Sequence, residues 1–270
     1  MSSGRLAGRR AIVTGASRGL GAAIALELAA AGASVGLAVR DVGRGEGVAA
    51  AVRRQGRQSE VASCDATDPV SVAAAVRVLT LGLKGDANVL VNNAAVITPV
   101  GPAAELDIEE WGRAIQVNLV SVMAASQAVL AGMRRLGGGT IVNISSGAAS
   151  PPGMPFGSAY SVSKAALETL TEHMDAELKP SGIAVRAVRP GRVDTGMQEQ
   201  LRDTALVGET LAARHRAWLA DGALLDPGLP ARLVCAICAE PAQYGSVTSV
   251  YDDRAKELLW SPGATAAGSD

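Results

Sequence analysis

Short apolar segments alternate with helical patterns along most of the 270-residue chain. The apolar segments with the length and composition of strands are Arg10–Thr14, Ala33–Val39, Glu60–Ser63, Val89–Val91, Thr140–Ser145, Ala184–Val188 and Val247–Tyr251. The helical patterns between them cover Leu20–Ala31, Arg44–Gln55, Pro69–Leu81, Ile108–Arg135, Ser158–Lys179 and Ala231–Glu240. Strands that alternate with helices in this way predict a parallel sheet covered on both faces. We therefore predict an α/β fold with a doubly wound sheet of about seven strands.

The chain has enough apolar residues for one large core, since 48% of its residues are hydrophobic and only 3% are aromatic. It shows no internal repeat and no linker between domains, so we predict a single domain over residues 1–260. A polar segment over about 192–228 is predicted to be irregular. The last ten residues, 261–270, are rich in small and polar residues and are predicted to be a disordered tail.

Charge and cysteine content exclude several classes of protein. The net charge is −1 and the arginines are scattered, which gives no footprint for nucleic acid. The sequence has no apolar run of membrane-span length, and its polar start does not resemble a signal peptide, so we expect a cytoplasmic protein. Cys235 and Cys238 form C-x-x-C inside an apolar helical pattern, without further ligands for a metal. We predict buried cysteines and no metal site, and leave a redox role open.

A glycine-rich turn follows the first predicted strand and leads into the first predicted helix. Its sequence, Thr14-Gly-Ala-Ser-Arg-Gly-Leu-Gly21, has the spacing G-x-x-x-G-x-G. Glycines let the backbone approach a pyrophosphate, and the N-terminus of the helix offers unpaired N–H groups. The residues predicted to bind a dinucleotide here are Gly15, Ser17, Arg18, Gly19, Leu20 and Gly21. A site of this kind in the first βα unit predicts a Rossmann fold.

The end of the second strand indicates which dinucleotide binds. An acidic residue there would hydrogen-bond the ribose 2′-hydroxyl of NAD, whereas an arginine accommodates the 2′-phosphate of NADP. Val39 stands where the acid is expected, and Arg40 follows it. Arg18 lies on the same side of the ribose, and two guanidinium groups suit a phosphate. We predict NADP(H). Asp41 is the alternative, because a shift of one residue would make it the acid of an NAD site.

Tyr160 and Lys164 are four residues apart at the start of a long helical pattern, which places both side chains on one face. A tyrosine titrates near about 10, too high for acid–base work at neutral pH. A lysine cation close by would stabilise the phenolate and lower that pKa. The pair alone is weak evidence, because the same spacing occurs on many exposed helix faces.

Taken together, these motifs resemble the short-chain dehydrogenase/reductase family over about residues 9–251. The further positions that match its cofactor motifs are Asp65, Ala66, Asn92, Ala94, Tyr160, Lys164, Pro190, Gly191, Val193 and Thr195. Its catalytic positions match Asn118, Ser146, Tyr160 and Lys164. Ala95 departs from the family, whose N-N-A-G motif ends in glycine.

The resemblance implies a role for each catalytic residue. Tyr160 would donate a proton to the carbonyl oxygen of a substrate that receives hydride from NADPH, and Ser146 would hydrogen-bond the same oxygen. Lys164 would lower the pKa of Tyr160 and hold the nicotinamide ribose. Asn118 would bind a water next to Lys164. The family usually forms dimers or tetramers, so a homodimer or homotetramer is expected.

A small-molecule carbonyl substrate is expected between the loop after Ser146 and the polar segment 192–228, which would act as a lid. The large side chains available there are Met154, Phe156, Met197 and Trp218. No cluster of Arg or Lys in these segments suggests a phosphate or carrier-protein substrate. The stretches Ser145–Ala149 and Asp194–Gln198 resemble the sepiapterin reductase and benzil reductase branch, which reduces vicinal dicarbonyls.

Four other functions are weighed against this prediction. A 3-oxoacyl reductase and a hydroxysteroid-type reductase or dehydrogenase from the broader family would use the same catalytic residues. A non-catalytic NADP-binding regulator would have no need of Tyr160. A hydrolase is suggested by Gly15-Ala-Ser17-Arg-Gly19, which spells G-x-S-x-G. It is disfavoured because that turn follows the first strand and the chain offers no suitable late histidine.

Overall fold

A computed structural model describes residues 4–203 and 207–260. The strands are β1 (Arg10–Thr14), β2 (Ser34–Val39), β3 (Ser59–Ser63), β4 (Val89–Asn92), β5 (Gly139–Ile144), β6 (Ile183–Arg189) and β7 (Val247–Ser249). They form one parallel sheet in the order β3-β2-β1-β4-β5-β6-β7. The predicted α/β fold with seven parallel strands is confirmed.

Helices cover both faces of the sheet. They are α1 (Gly19–Ala30), α2 (Val42–Arg54), α3 (Pro69–Gly82), α4 (Ile108–Ile115), α5 (Ser121–Arg135), α6 (Ser158–Leu178), α7 (Gly196–Gln200), α8 (Glu209–Ala220), α9 (Gly228–Ala239) and α10 (Asp253–Trp260). Side chains alternate along β1, so Val13 packs with α1, α2 and α9 on one face, while Ile12 packs with α3, α5 and α6 on the other. The central strands β1, β2 and β4 are thus buried on both sides, as their largely apolar sequences predict.

A π-helical turn, Gln116–Val120, joins α4 to α5 within the predicted helix Ile108–Arg135. The whole segment is long and apolar enough to cross a membrane by length and composition. In the structure α5 packs on the sheet and against α3, which is the position of a core helix. The apolar composition of this segment is therefore consistent with a helix that packs in the protein interior.

Two regions differ from the sequence-based prediction. The segment 192–228 was expected to be irregular, but it contains α7 and α8. Helix α10 follows the last strand and was not predicted. The predicted tail, 261–270, lies outside the described residues.

The cysteines of the C-x-x-C sequence lie in α9, against the core. Both are free thiols. Burial raises the pKa of Cys235 to about 12, with a further contribution from the charge of Glu27. The thiolate that redox chemistry requires is therefore disfavoured at this position.

The strand order reverses between β1 and β4, which lie side by side at the centre of the sheet. Because all strands are parallel, their carboxyl ends meet at one edge. In open α/β sheets, ligands bind outside this edge, at the point where the order reverses. The fold therefore places the glycine-rich turn after β1, the loop after β4 and the loop after β5 around one crevice.

Candidate active site

A cavity of about 1090 Å³ follows the carboxyl edge of the sheet. The glycine-rich turn and residues of α7 and α8 line it. Tyr160, Lys164 and Ser146 line the same cavity. One continuous space therefore connects the predicted dinucleotide site with the predicted catalytic residues.

The glycine-rich turn needs its glycines because its backbone packs closely against neighbouring backbone and leaves no room for side chains. Gly15 adopts φ +66°, and a Cβ atom there would lie 2.9 Å from Cα of Ala94. A Cβ atom at Gly21 would lie 2.4 Å from the carbonyl oxygen of Gly15. Arg18 precedes α1 without a capping hydrogen bond from its side chain, so the first amides of α1 lack a side-chain acceptor. These amides can bind the phosphates of a cofactor.

The residues after β2 separate into a buried and an exposed group. Val39 is buried in the core, whereas Arg40 is exposed and lines the cavity, as does Arg18. Asp41 caps α2, because its carboxylate accepts a hydrogen bond of 3.0 Å from the backbone N–H of Arg44. The same carboxylate lies 3.3 Å from Nε of Arg44. Asp41 therefore has a structural role of its own.

Asp65 and Ala66 line the cavity beyond the end of β3. The Asp65 carboxylate accepts hydrogen bonds from the backbone N–H and the hydroxyl of Thr67, at 2.9 and 2.8 Å. These bonds hold the pKa of Asp65 below its usual value, and the charge of Arg40 contributes further. Asp65 is thus ionised and held in place at the end of the cavity that Arg40 lines.

The prediction that Asn92 contributes to cofactor binding requires a correction. Its side chain is buried beneath the sheet edge, where Nδ2 donates to Oδ1 of Asn143 at 2.9 Å. The next residue, Asn93, lines the cavity instead, and its Nδ2 donates to the carbonyl oxygens of Thr14 and Gly15 at 3.0 and 3.2 Å. Asn92 therefore braces the core, while Asn93 holds the glycine-rich turn. Ala94 lines the cavity as expected.

Tyr160 and Lys164 lie on one face of α6, and both are buried. The Lys164 ammonium donates to the carbonyl oxygen of Ile144 at 2.7 Å and lies 5.7 Å from the centroid of the Tyr160 ring. Burial lowers the pKa of Lys164 to about 8. Burial also raises the pKa of Tyr160, and a hydrogen bond from Ser146 opposes that rise. The lowering of the Tyr160 pKa expected from the charge of Lys164 is not seen, because burial dominates and only the contact with Ser146 opposes it.

Asn118 lies in the π-helical turn and is fully buried. Its Oδ1 accepts from the backbone N–H of Val96 at 2.8 Å. Its Nδ2 donates to the carbonyl oxygen of Val96 and to the hydroxyl of Ser163, at 2.9 and 3.0 Å. Both amide hydrogens are used, so the side chain clamps the loop after β4 to α6. The water-binding role expected for Asn118 has little support from its side chain.

Ser146 follows β5 and faces Tyr160. Its Oγ accepts from the backbone N–H of Ala148 at 3.1 Å, so its hydroxyl hydrogen can be directed to Tyr160 or to a bound substrate. The neighbouring Ser145 is anchored from below, because its hydroxyl donates to Glu168 at 2.7 Å. Glu168 in turn accepts two hydrogen bonds from Arg189, both 2.7 Å long. This partly buried ion pair fixes the end of β5 and with it the position of Ser146.

The loop after β6 closes the cavity opposite the glycine-rich turn. Pro190, Gly191, Val193 and Thr195 all line it, as the resemblance implies. A Cβ atom at Gly19 would lie 3.2 Å from Cγ2 of Thr195, so the two loops are in close contact. The cofactor positions after β6 are thus brought to those after β1.

Three of the four expected substrate residues line the cavity: Met154, Met197 and Trp218. Phe156 does not line the cavity, and the residue is 51% exposed to solvent. Met154 and Met197 pack in an apolar cluster with Tyr160 and with Leu211 of α8. The wall next to the catalytic tyrosine is therefore apolar.

Beyond this apolar wall the cavity is cationic, whereas no cluster of Arg or Lys was predicted in these segments from the sequence. Guanidinium carbons of Arg192 and Arg214 lie 4.2 and 5.3 Å from the ring centroid of Trp218. The ring of His215 meets Trp218 edge-on at 4.5 Å, and its Nδ1 lies 2.8 Å from Oε1 of Gln198. We call Arg192, Arg214, His215 and Trp218 the arginine–tryptophan cluster. Sequence reasoning missed it, except for Trp218.

His215 makes stability depend on pH in weakly acidic solution. Burial lowers its pKa to about 4, and the charges of Arg214, Arg202 and Arg192 contribute to the shift. The unfolded chain binds a proton near pH 6.5 and the folded chain does not, so stability should fall as the pH drops from about 6.5 to about 4. We expect the free energy of unfolding, measured with urea, to fall between pH 7.5 and pH 5. The fall should be smaller for His215→Gln than for the parent. His173→Gln, on the surface of α6, is the control; equal losses in all three proteins would contradict this assignment.

Comparison with known proteins extends over nearly the whole chain. The family model for short chain dehydrogenases matches residues 9–206. The chain is 36% identical over 244 residues to a cis-4-hydroxycyclohexanecarboxylate dehydrogenase from Sinomonas cyclohexanicum, covering 90% of this chain and 94% of that protein. It is similar to a solved NAD⁺-bound xylitol dehydrogenase, with TM-score 0.81, 26% identity and coverage of 91% and 98%. A blue fluorescent protein from a metagenomic library, in complex with NADPH, gives TM-score 0.79, 29% identity and coverage of 91% and 97%.

Proposed function

Since the chain belongs to the short-chain dehydrogenase/reductase family, we propose that it is an NADPH-dependent reductase of small-molecule ketones. The observation that carries this proposal is the phenol of Tyr160 beside Ser146, in the same cavity as the glycine-rich turn. A protein that only binds a dinucleotide has no use for a buried acid at this place. The oxidoreductase class follows from the family, and the cofactor and substrate are proposed below.

The catalytic side chains divide the chemistry among them. When bound, the nicotinamide supplies the hydride. Ser146 donates its hydroxyl hydrogen to the carbonyl oxygen of the substrate, where negative charge develops. Tyr160 donates its proton to the same oxygen, which yields the alcohol. Lys164, held by the carbonyl of Ile144, is the nearest cation to the phenolate that Tyr160 becomes.

NADP(H) is the proposed cofactor because of the charges after β2. Arg18 and Arg40 both line the cavity with exposed guanidinium groups, and the buried Val39 offers no carboxylate to a 2′-hydroxyl. Asp41, the alternative, is engaged in capping α2 and in its contact with Arg44. Two arginines near a 2′-phosphate favour NADP, because each can form charge-assisted hydrogen bonds. Solved relatives bind either dinucleotide, so this preference depends on the chain's own residues.

The substrate and the assembly stay predictions. A vicinal dicarbonyl, a 3-oxoacyl thioester and a steroid ketone would each present a carbonyl to Tyr160. The similarity to a hydroxycyclohexanecarboxylate dehydrogenase adds cyclic hydroxy acids to that set. We propose a single domain that acts as a cytoplasmic homodimer or homotetramer.

The test is oxidation of NADPH and of NADH by the purified protein with a panel of ketones. The panel contains benzil, sepiapterin, simple diketones, a 3-oxoacyl thioester, a steroid ketone and a cyclic oxo acid. We expect at least one ketone to be reduced, with kcat/KM for NADPH about tenfold or more above that for NADH. Equal use of the two cofactors would refute the NADP assignment. If the protein binds NADPH but reduces no ketone of the panel, the function as a non-catalytic NADP-binding regulator would be favoured.

A further inference from the structure

We propose that Arg192 and Arg214 bind a carboxylate of the substrate, so that this enzyme reduces ketones carrying an acid group remote from the carbonyl. The inference rests on the proposed reductase function and names its substrate class. It assigns a binding role to the arginine–tryptophan cluster, whose residues take no part in the chemistry at Tyr160.

The two arginines face the cavity without an acidic partner among residues 4–203 and 207–260. Several other arginines of the described chain are paired: Arg135 with Asp86, Arg186 with Asp175, Arg189 with Glu168 and Arg216 with Glu209. Arg192 and Arg214 contact the Trp218 ring instead. A guanidinium group stacked on an indole keeps the N–H groups at its edge available. Such an edge matches the two oxygens of a carboxylate.

The surroundings of the cluster add positive charge. Nη1 of Arg202 is buried and has no hydrogen-bond partner in the described chain. The charges that act on His215 come from three arginines, Arg214, Arg202 and Arg192, and no carboxylate is among them. His215 itself is neutral, and its Nδ1 is engaged with Gln198. Arg192 and Arg214 are themselves exposed to solvent, and an anion placed here would meet the positive charge of several arginines.

Helix α8 carries Arg214, His215 and Trp218 and also contributes to the apolar cluster around Tyr160. Leu211 packs in the apolar cluster that contains Tyr160. Arg214 and Trp218 lie three and seven residues further along the same helix, which corresponds to about 5–10 Å along its axis. Met154 and Met197 line the cavity beside Tyr160. A substrate with an apolar body of about one ring, a carbonyl at one end and a carboxylate at the other would match this spacing.

The experiment compares an acid with its neutral ester. With NADPH, 4-oxocyclohexanecarboxylate should be reduced with kcat/KM at least about tenfold above that of its methyl ester. Arg192→Gln and Arg214→Gln should each lower kcat/KM for the acid about tenfold, mainly through KM, and leave the ester unchanged. Arg216→Gln, on the same helix but paired with Glu209 outside the cavity, should change neither.

Binding measured without turnover separates this inference from the reductase function. Calorimetric titration should show binding of cyclohexanecarboxylate but not of its methyl ester, and this binding should be lost in the double variant of Arg192 and Arg214. If no ketone is reduced but this pattern is found, the carboxylate site stands and the reductase function fails. If acid and ester are reduced or bound equally, or if inorganic phosphate binds and the carboxylate does not, the carboxylate site is refuted.

Discussion

Replacing Tyr160 by phenylalanine should abolish turnover while leaving NADPH bound. The substitution keeps the ring that packs against Met154 and Leu211, so the wall of the cavity should be preserved. It removes the hydroxyl that donates the proton to the developing alkoxide. Loss of a positioned general acid lowers kcat by about 10²–10⁴-fold. Steady-state kinetics with the best ketone of the panel, together with fluorescence titration of NADPH, would measure both effects.

The control is Tyr244→Phe, because Tyr244 contacts Arg254 outside the cavity and loses the same hydroxyl. It should keep the kcat of the parent. If Tyr160→Phe retained kcat within about tenfold, another group would have to supply the proton, since that is less than a positioned general acid contributes. If it lost NADPH binding as well, the effect would be structural and the assignment would fail.

Removing the positive charges at Arg18 and Arg40 should weaken NADPH far more than NADH. A hydrogen bond to a charged group contributes about 1.5–3 kcal/mol, so the double Gln variant should raise the Kd of NADPH roughly a hundredfold or more. NADH has no 2′-phosphate, and its Kd should stay within about threefold because it loses no charge-assisted bond. Fluorescence titration of both nucleotides against parent and variant gives the four constants.

Arg54→Gln is the matched control, since Arg54 ends α2 and does not line the cavity. It should leave both constants unchanged. An equal loss for NADPH and NADH in the double variant would place the 2′-phosphate elsewhere. Asp41→Asn adds a second criterion: if it weakens NADH selectively, Asp41 acts as the acid of an NAD site and our assignment of the cofactor is wrong.

Local patterns in the sequence were sufficient to predict the sheet. The strand Arg10–Thr14 was predicted with its observed ends, because its centre is apolar and a glycine-rich turn follows at once. Buried parallel strands have this signature whatever surrounds them. Helix α8 lacks such a signature, since its apolar and charged residues are mixed and do not separate clearly onto two faces. It is stabilised by the packing of Leu211 and Ala212 in the cluster around Tyr160, which only the tertiary structure shows.

The site shows where one-dimensional reasoning fails. Asn92 and Asn93 are adjacent, and side chains alternate between the two faces at the end of a strand. Which of them faces the cavity depends on the register of β4 in the sheet, which the sequence alone does not determine. The arginine–tryptophan cluster was missed for a related reason. Arg192 and Arg214 are distant in sequence, and the turn after α8 returns the chain to pair Leu225 with Val193, next to Arg192.

The π-helical turn Gln116–Val120 has a consequence for how the length of this helix can change. Its i→i+5 bonds accommodate one residue more than an α-helix of the same span. Deletion of one residue there would restore regular winding and leave α4 and α5 nearly in place. Asn118 lies within the turn itself, so the deletion would displace its side chain from Val96. The fold could therefore survive the loss of one amino acid that the active site does not tolerate.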